Sequence, residues 1–584
     1  MNLDLKKNKS ELLFLPLGGA NEIGMNLNLY QLDGKWLMVD CGVGFANDVP
    51  GITMMTPDIT FIKKHRKDLL GIVLTHIHED HLGAIQYLIQ DLEVPIYATL
   101  LGANFLKSKL SEFNLDKTTD IRIIDGEKNL NLGPFDIEFL GLTHSVPEMK
   151  AMMIRTRVGN VLHTGDWKFD PDPVVGDVSD KELIKKYGDA GEILALVCDS
   201  TNAINEGHSK SEGELYESIK SLVKDRKGYV AVTTFASNIA RIHTIAKIAA
   251  DCGRKVVLAG WSLHRIHEVA RKSGYFTGES FAESNFISDR ELKFYPKNEV
   301  LIISTGCQGE PRAATRKIAA GKHPTIKFTK GDLVIFSSKI IPGNEKKIFE
   351  LFSALAQKDI EFFTEKDHFV HVSGHPSQDE LREMYALAKP KLAIPVHGEF
   401  IHTKVHSELA LESGVQKAIA TENGTAIKIN GEDVERSQKV GSVQSGYLGV
   451  DGFQLVDLNS ELVRQRRKIA ETGIVTISLT LDESLKAASK PRITCVGCYD
   501  ISSDRDATDF VLEEMAMIIQ AKTKEFDIKP TKKGLFAKSK KAKKKNGDAK
   551  IIANIEKTIR SRVLKILENI MGKRPALEVI VHKV

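Results

Sequence analysis

Thr75-His76-Ile77-His78-Glu79-Asp80-His81 is the stretch that decides the reading of this chain. Three imidazoles and the Asp80 carboxylate fall within six residues. They follow a short apolar strand pattern, Gly71–Leu74, and precede a helical pattern from His81 to about Leu92. A strand end presents ligands rigidly, and imidazole with carboxylate is a borderline-soft set that suits Zn²⁺ or Mn²⁺. If extended geometry persists past the strand, His76 and His78 point to one side. Asp80 and His81 turn the other way as the helix begins, so one segment can serve two metals. The plain alternative is a histidine-rich surface loop; it would win for one histidine but not for this spacing.

The segment cannot complete two coordination shells alone. Three candidates sit just past apolar strand patterns: His144 after Phe139–Thr143, Asp166 after Val161-Leu162 in HTGDWKFD, and His397 after Ile394-Pro395-Val396 in PVHGE. Each by itself is an ordinary loop residue. Their common placement raises all three together.

Around this constellation lies a chain of 584 residues and 64.7 kDa, long enough for three to four structural units. Hydrophobic residues make up 42% and charged residues 27%, which fits a globular chain rather than a disordered or fibrous one. The six cysteines are scattered. The one pair, CVGC at Cys495–Cys498, lacks the second pair that a four-thiolate zinc site needs, so it reads as unliganded and fits a reducing compartment. The N-terminus does not read as a secretory signal, and no window approaches 18 apolar residues. The expectation is a cytoplasmic protein with no membrane partner. Net charge is +4, but Lys529–Lys545 holds nine lysines and no acid, so the remainder stands at −5. A polyanion must then bind in a local groove rather than a global basic field.

Residues 12–200 read as strands, then strand–helix alternation. Leu12–Leu17, Met25–Leu32 and Trp36–Val39 form an antiparallel meander pattern. From about Asn205 to Glu361 strands and helices alternate regularly, as in an inserted α/β domain with a parallel sheet. Lys391–Pro395 and a helix near Ile401–Leu411 resume the first domain. A third unit starts near Gly446. It carries a helix over Asp506–Ile519, the lysine run, a helix over Ile551–Met571 with one apolar face, and a final strand Leu577–Val581.

HIHEDH, the lone His144, HTGDWKFD and PVHGE resemble the metallo-β-lactamase fold with a β-CASP insertion, and within it the ribonuclease J family. Further strings extend the resemblance over nearly the whole chain: LGGANEIGMN at 17–26, CDSTNA at 198–203, TGCQGEP at 305–311, SSKIIPGNE at 337–345, HVSGHPSQDEL at 371–381 and the C-terminal GKRPALEVIV. The lysine run is the least typical piece. The resemblance implies an α/β protein: a metallo-β-lactamase αββα sandwich (1–204 and 362–445), an inserted β-CASP α/β domain (205–361), and a linker with a small C-terminal α+β domain (446–584).

Carried over by motif, His76, His78 and His144 bind one metal, Asp80, His81 and His397 bind the other, and Asp166 bridges them with a water. Two Zn²⁺ per subunit are implied, with Mn²⁺ as the alternative, making a hydroxide near neutral pH and clamping the scissile phosphate. Asp80 thus counts as both ligand and catalytic residue. The family pattern also assigns Asp199 and His375. His375 donates the proton to the leaving 3′-oxygen, and Asp199 keeps it protonated and oriented. Without the pattern, Asp199 reads as a helix cap or a turn residue.

The loop His371, Ser373, Gly374, His375 and the helix start Ser237-Asn238 would hold an RNA 5′-phosphate and the first nucleotides. Ser237 reads equally well as a plain helix cap. His163 supports Asp166 or packs in the core, and His368 is ambiguous. The implied activity is a ribonuclease in RNA maturation and decay, working 5′ to 3′ from a 5′-monophosphate and also endonucleolytically. Its partner is single-stranded RNA. A homodimer through the C-terminal domain, or a tetramer, is implied by the family and suggested by the Ile551–Ile570 stripe. The lysine run reads as a solvated linker that can also touch phosphates.

Two other functions compete. A DNA nuclease or small-ester hydrolase could use the same metals, though an ester hydrolase would not need the insert. A non-catalytic RNA-binding subunit should have lost ligands, and all seven positions, Asp199 and His375 are present.

Overall fold

Eight strands in the order of residues 438–442, 425–429, 12–18, 27–32, 35–39, 69–73, 96–98 and 121–123 make the first sheet of the computed structural model. The model describes residues 2–124, 129–498, 503–525 and 537–584. A second sheet of seven strands runs 417–418, 392–396, 193–199, 160–163, 150–155, 135–141, 129–132. One apolar cluster is shared by the strands of the two sheets. Phe14, Tyr30, Leu37 and Val73 come from the first, and Ile137, Ile154, Val161, Val197 and Ile394 from the second. Strands buried on both faces read as continuous apolar runs, as in LLFLPLG and ILALVCD. Each fully buried Leu, Ile or Val contributes about 1.5–3 kcal/mol.

Strand direction is what positions the site. Lys35–Val39 and Leu69–Val73 are parallel neighbours, so Asp40 and the Thr75–His81 segment emerge at the same edge of the first sheet. In the second sheet Asn160–His163, Ile193–Asp199 and Leu392–Val396 are all parallel. Phe135–Gly141 joins that direction through two antiparallel steps. Their carboxyl ends therefore deliver Asp166, Asp199, His397 and His144 to one edge.

A third, five-stranded sheet is parallel throughout, in the order 255–259, 300–304, 230–233, 333–336, 361–363. The chain then returns to the first two sheets through Leu392–Val396 and Thr425–Ile429. The chain divides into two compact units. The three sheets fall in Met1–Phe45 with Met54–Leu448; the second unit is Ala46–Thr53 with Gly449–Val584.

In the second unit, helices Arg505–Glu525 and Ala537–Met571 pack on a three-stranded sheet of 492–496, 474–481 and 576–583. Ile551, Ile555, Ile559, Val563 and Leu567 are buried there with Val475, Ile477, Val511 and Met515. The apolar stripe is thus used within its own unit and lends no support to a dimer. Of the lysine run, residues 529–536 lie outside the described residues, and from Ala537 the chain is helical rather than a linker. Lysine and alanine are both good helix formers, which accounts for the difference. No helix among the described residues is long and apolar enough to cross a membrane.

Candidate active site

The strand Leu69–Val73 ends before His76, so extended geometry does not carry the histidines as the alternation suggested. Residues 74–78 are irregular, and a one-turn helix, Glu79–Leu82, begins with His78 as its cap. The segment is instead fixed by the neighbouring loop. Asn26 N donates to Asp80 O at 2.8 Å, Cys41 N to His81 O at 2.7 Å and Val43 N to Glu79 O at 3.0 Å. Gly42 packs so closely that a Cβ there would lie 1.8 Å from Asp80 O.

Two groups of ligand atoms include this segment, each lying within 4.8 Å of one another: His76, His78, His144 and Asp166, and Asp80, His81, Asp166 and His397; a third joins Asp166, Asp199 and His375. Asp166 belongs to all three. Its Oδ2 is 3.9 Å from Nε2 of His76 and of His144, and its Oδ1 is 3.2 Å from His81 Nε2 and 3.6 Å from His397 Nε2. All seven candidate ligands are brought together.

The donor set fits divalent metals. His76 Nε2 and Asp166 Oδ1 are buried and make no well-aligned hydrogen bond, although a buried polar atom without a partner is costly. His144 Nε2 and His78 Nδ1 converge to 3.1 Å. Burial and neighbouring imidazoles hold His76 and His144 well below the ordinary range, and burial takes His78 down to about 4. These are the neutral rings a metal needs. In the second group burial also opposes the charge, but carboxylates outweigh it. His81 rises well above its ordinary value under Asp166, Asp40 and Asp80, and His397 is pushed up to about 9 by Asp166, Asp80 and Asp199. That group attracts positive charge, whether a proton or a metal ion.

The far nitrogens of these rings are held as metal-ligating histidines usually are. His81 Nδ1 is 2.7 Å from Asp40 Oδ2, which also takes the Thr75 hydroxyl at 2.8 Å. His144 Nδ1 donates to Gly374 O at 2.7 Å, and a Cβ on Gly374 would lie 2.7 Å from the same ring. Asp40 and this second task of Gly374 escape the sequence reading. Asp40 also sits just past an apolar strand, so the placement rule that selects His144, Asp166 and His397 would have found it.

Asp199 ends the strand Ile193–Asp199, and its Oδ2 lies 2.7 Å from His375 Nδ1. Burial lowers the His375 pKa, but Asp199 and Asp166 outweigh it and the net shift is upward. The next residues brace the surroundings. Ser200 Oγ meets Nδ1 of buried His406 at 2.8 Å, and Asn202 Nδ2 donates to Ser373 Oγ at 2.7 Å and His375 O at 3.1 Å.

Asn238, not Ser237, caps the helix Ile239–Asp251, taking the Arg241 N–H at 2.8 Å. Arg241 is fully buried. It pairs with Glu212 at 2.6 Å, donates to Ser337 O at 3.0 Å and reaches Val370 O at 3.4 Å, beside His371. Burial first, and then the charges of Arg241, Lys339 and Lys168, hold His371 well below its ordinary pKa. His163 is a core residue, hydrogen-bonded to Tyr30 OH at 2.9 Å, and His368 packs edge-on against Phe363. Cys498 Sγ lies 3.6 Å from Ile474 O.

Three family models match. Residues 26–230 match the metallo-beta-lactamase superfamily, 227–355 the beta-CASP domain of ribonuclease J, and 364–420 the Zn-dependent metallo-hydrolase RNA specificity domain. The chain is 36% identical to ribonuclease J of Sinorhizobium meliloti over 579 residues, 98% of either chain. It is 34% identical to ribonuclease J2 of Bacillus subtilis, covering 88% of this chain and 90% of that one. It is 33% identical to ribonuclease J of Thermus thermophilus over 80% and 82%. A solved Enterococcus faecalis protein of unknown function shares the fold at a TM-score of 0.50 and 16% identity, over 72% of this chain and all of that one. Six of the seven candidate ligands and Asp199 fall within the first matched span, His375 and His397 within the third, and the identity runs from end to end: the chain belongs to the ribonuclease J family of metal-dependent ribonucleases.

Proposed function

We propose that this ribonuclease degrades single-stranded RNA 5′ to 3′ from a 5′-monophosphate, also cuts internally, and serves RNA maturation and decay. The observation that carries the reading is the convergence of seven metal-ligand candidates and the His375–Asp199 pair where the edges of the first two sheets meet. His76, His78, His144 and Asp166 would hold one ion, and Asp80, His81, His397 and Asp166 the other, with zinc favoured by the imidazole-rich set and manganese the alternative. When bound, two such ions supply the acidity that makes water a nucleophile near neutral pH and the charge that clamps a phosphate. His375 delivers the proton to the leaving 3′-oxygen. Its Nδ1 is taken by Asp199, so the proton leaves from Nε2.

The 5′-phosphate is placed at the parallel five-stranded sheet. The chain leaves the adjacent strands Val230–Thr233 and Leu333–Phe336 toward opposite sides, and ligands of such sheets sit outside the carboxyl ends at that point. Ser237-Asn238 follows the first strand and Ser337 the second. Arg241 ties Ser337 to the backbone beside His371, Ser373 and Gly374, and the positive surroundings of His371 suit an anion. We assign the domains to 1–204 with 362–445, 205–361 and 446–584, and take the working form to be a homodimer.

The test is digestion of one RNA bearing a 5′-monophosphate, triphosphate or hydroxyl, with products sized over time. Fast release of mononucleotides from the monophosphate alone is expected, with internal fragments from all three. Equal terminal decay of all three ends would refute the pocket. Ser373→Ala should impair terminal decay more than internal cutting.

A further inference from the structure

Thr201 occupies a position that neither the metal-ligand pattern nor the acid assignment explains. Its Oγ1 lies 2.7 Å from His397 Nδ1, 2.7 Å from Asp199 Oδ1 and 3.0 Å from His397 O. Its backbone N–H donates to the same Asp199 oxygen at 2.8 Å. The proton count is decisive. A His397 that offers Nε2 to the centre carries its hydrogen on Nδ1, so Thr201 Oγ1 must accept there. The hydroxyl has one hydrogen to give, and Asp199 Oδ1 is its nearest acceptor. Asp199 then has Oδ2 left for His375 Nδ1, at 2.7 Å.

We propose that Thr201 is a positioning residue for RNA cleavage, its hydroxyl joining His397 to Asp199 and, through Asp199, to His375. The inference rests on the metal centre and proton donor proposed above. The hydroxyl fixes the tautomer and tilt of His397 from behind and aims the Asp199 carboxylate with the same atom. A shift in either ring would therefore be felt by the other. Groups behind metal-ligating histidines typically matter by about 10–100-fold in metal affinity or activity. Threonine suits the task because valine has the same shape and lacks only the hydroxyl, so the two roles of Thr201, packing and hydrogen bonding, separate cleanly.

The experiment compares full-length, zinc-loaded wild type, Thr201→Val and Thr201→Ser. It measures kcat and KM on 5′-monophosphorylated RNA, zinc retained against increasing EDTA, and Tm. Thr201→Val is expected to lose about 10–100-fold in kcat with KM within about threefold, and to release zinc at about tenfold lower EDTA. Thr201→Ser is expected to restore both. If Thr201→Val does not fold, Thr201→Ala carries the same readouts. Wild-type kcat and zinc retention in the hydroxyl-free variant, or a loss that serine does not restore, overturns the proposal. His397→Ala separates this failure from that of the underlying reading. An active, zinc-replete His397→Ala sinks the metal centre itself, whereas a silent Thr201→Val beside an inactive His397→Ala removes only the coupling.

Discussion

Asp166 is the one candidate ligand common to both groups, its Oδ1 facing His81 and His397 and its Oδ2 facing His76 and His144. Around it, side chains divide into those that touch the reaction and those that aim them. His375→Ala removes a proton donor needed only as the bond breaks, so kcat should fall at least about 100-fold while RNA affinity and metal content hold. Parallel kinetics and zinc analysis check this; a collapse in affinity instead would make His375 a binding residue. Asp40→Ala strips the acceptor from His81 Nδ1. Zinc should be released at about 10–100-fold lower chelator, and unchanged retention would show that Asp40 does not hold the ligand. Of the seven candidate ligands, the four in the dense string were legible from residue type and spacing, and the other three from their strand-end placement and the family resemblance. Asp40 was legible only through its strand-end placement, and Thr201 was not legible, because a lone threonine after a strand serves turns far more often than it braces a ligand.

At the scale of elements, the strand–helix alternation of the insert was legible, since VLIIS and LVIF are apolar runs bounded by polar turns, whereas the short edge strand Glu361–Phe363 was not. The helix Glu461–Thr472 was not, because it buries only Val463 and its few apolar residues are outnumbered by charged ones. Nor does the apolar stripe of Ile551–Ile570 announce what covers it, which is the sheet and helix of its own unit. Close approach is equally hidden: nothing in the sequence says that Gly42 touches Asp80 O. Gly42→Ala should push the 79–81 backbone aside, with metal content and turnover falling together and Tm dropping by several degrees; a crystal structure with the segment unmoved would contradict it. For the lysine run, deletion of residues 529–545 should weaken RNA binding and flatten its salt dependence, by about 0.7 in log–log slope for each phosphate those lysines neutralise. An unchanged slope in a filter-binding series would mean that the run neutralises no phosphate.

On the scale of the whole molecule, buried imidazoles should make stability depend on pH. His243 and His267 pack against Phe281 and Phe286, and burial takes each down to about 4 from an ordinary 6.5. The unfolded chain binds those protons first, so the stability they contribute is intact above about pH 6.5 and drains away as pH falls toward 4. Because both rings keep some contact with water, about 1 kcal/mol each is expected rather than the full linkage value. His267→Phe should lose less stability than wild type between pH 7 and 5 in urea unfolding, and an identical loss would exclude the ring as a contributor. Residue, strand and chain meet where the edges of two sheets gather the candidate ligands for two metals. Titrating metal-free protein with Zn²⁺ while following cleavage of a 5′-monophosphorylated RNA tests that centre most directly. No cleavage is expected without metal, with recovery that saturates at two equivalents per chain and no recovery in Asp166→Ala; cleavage by the metal-free protein, or full recovery in that variant, would rule out the two-metal centre.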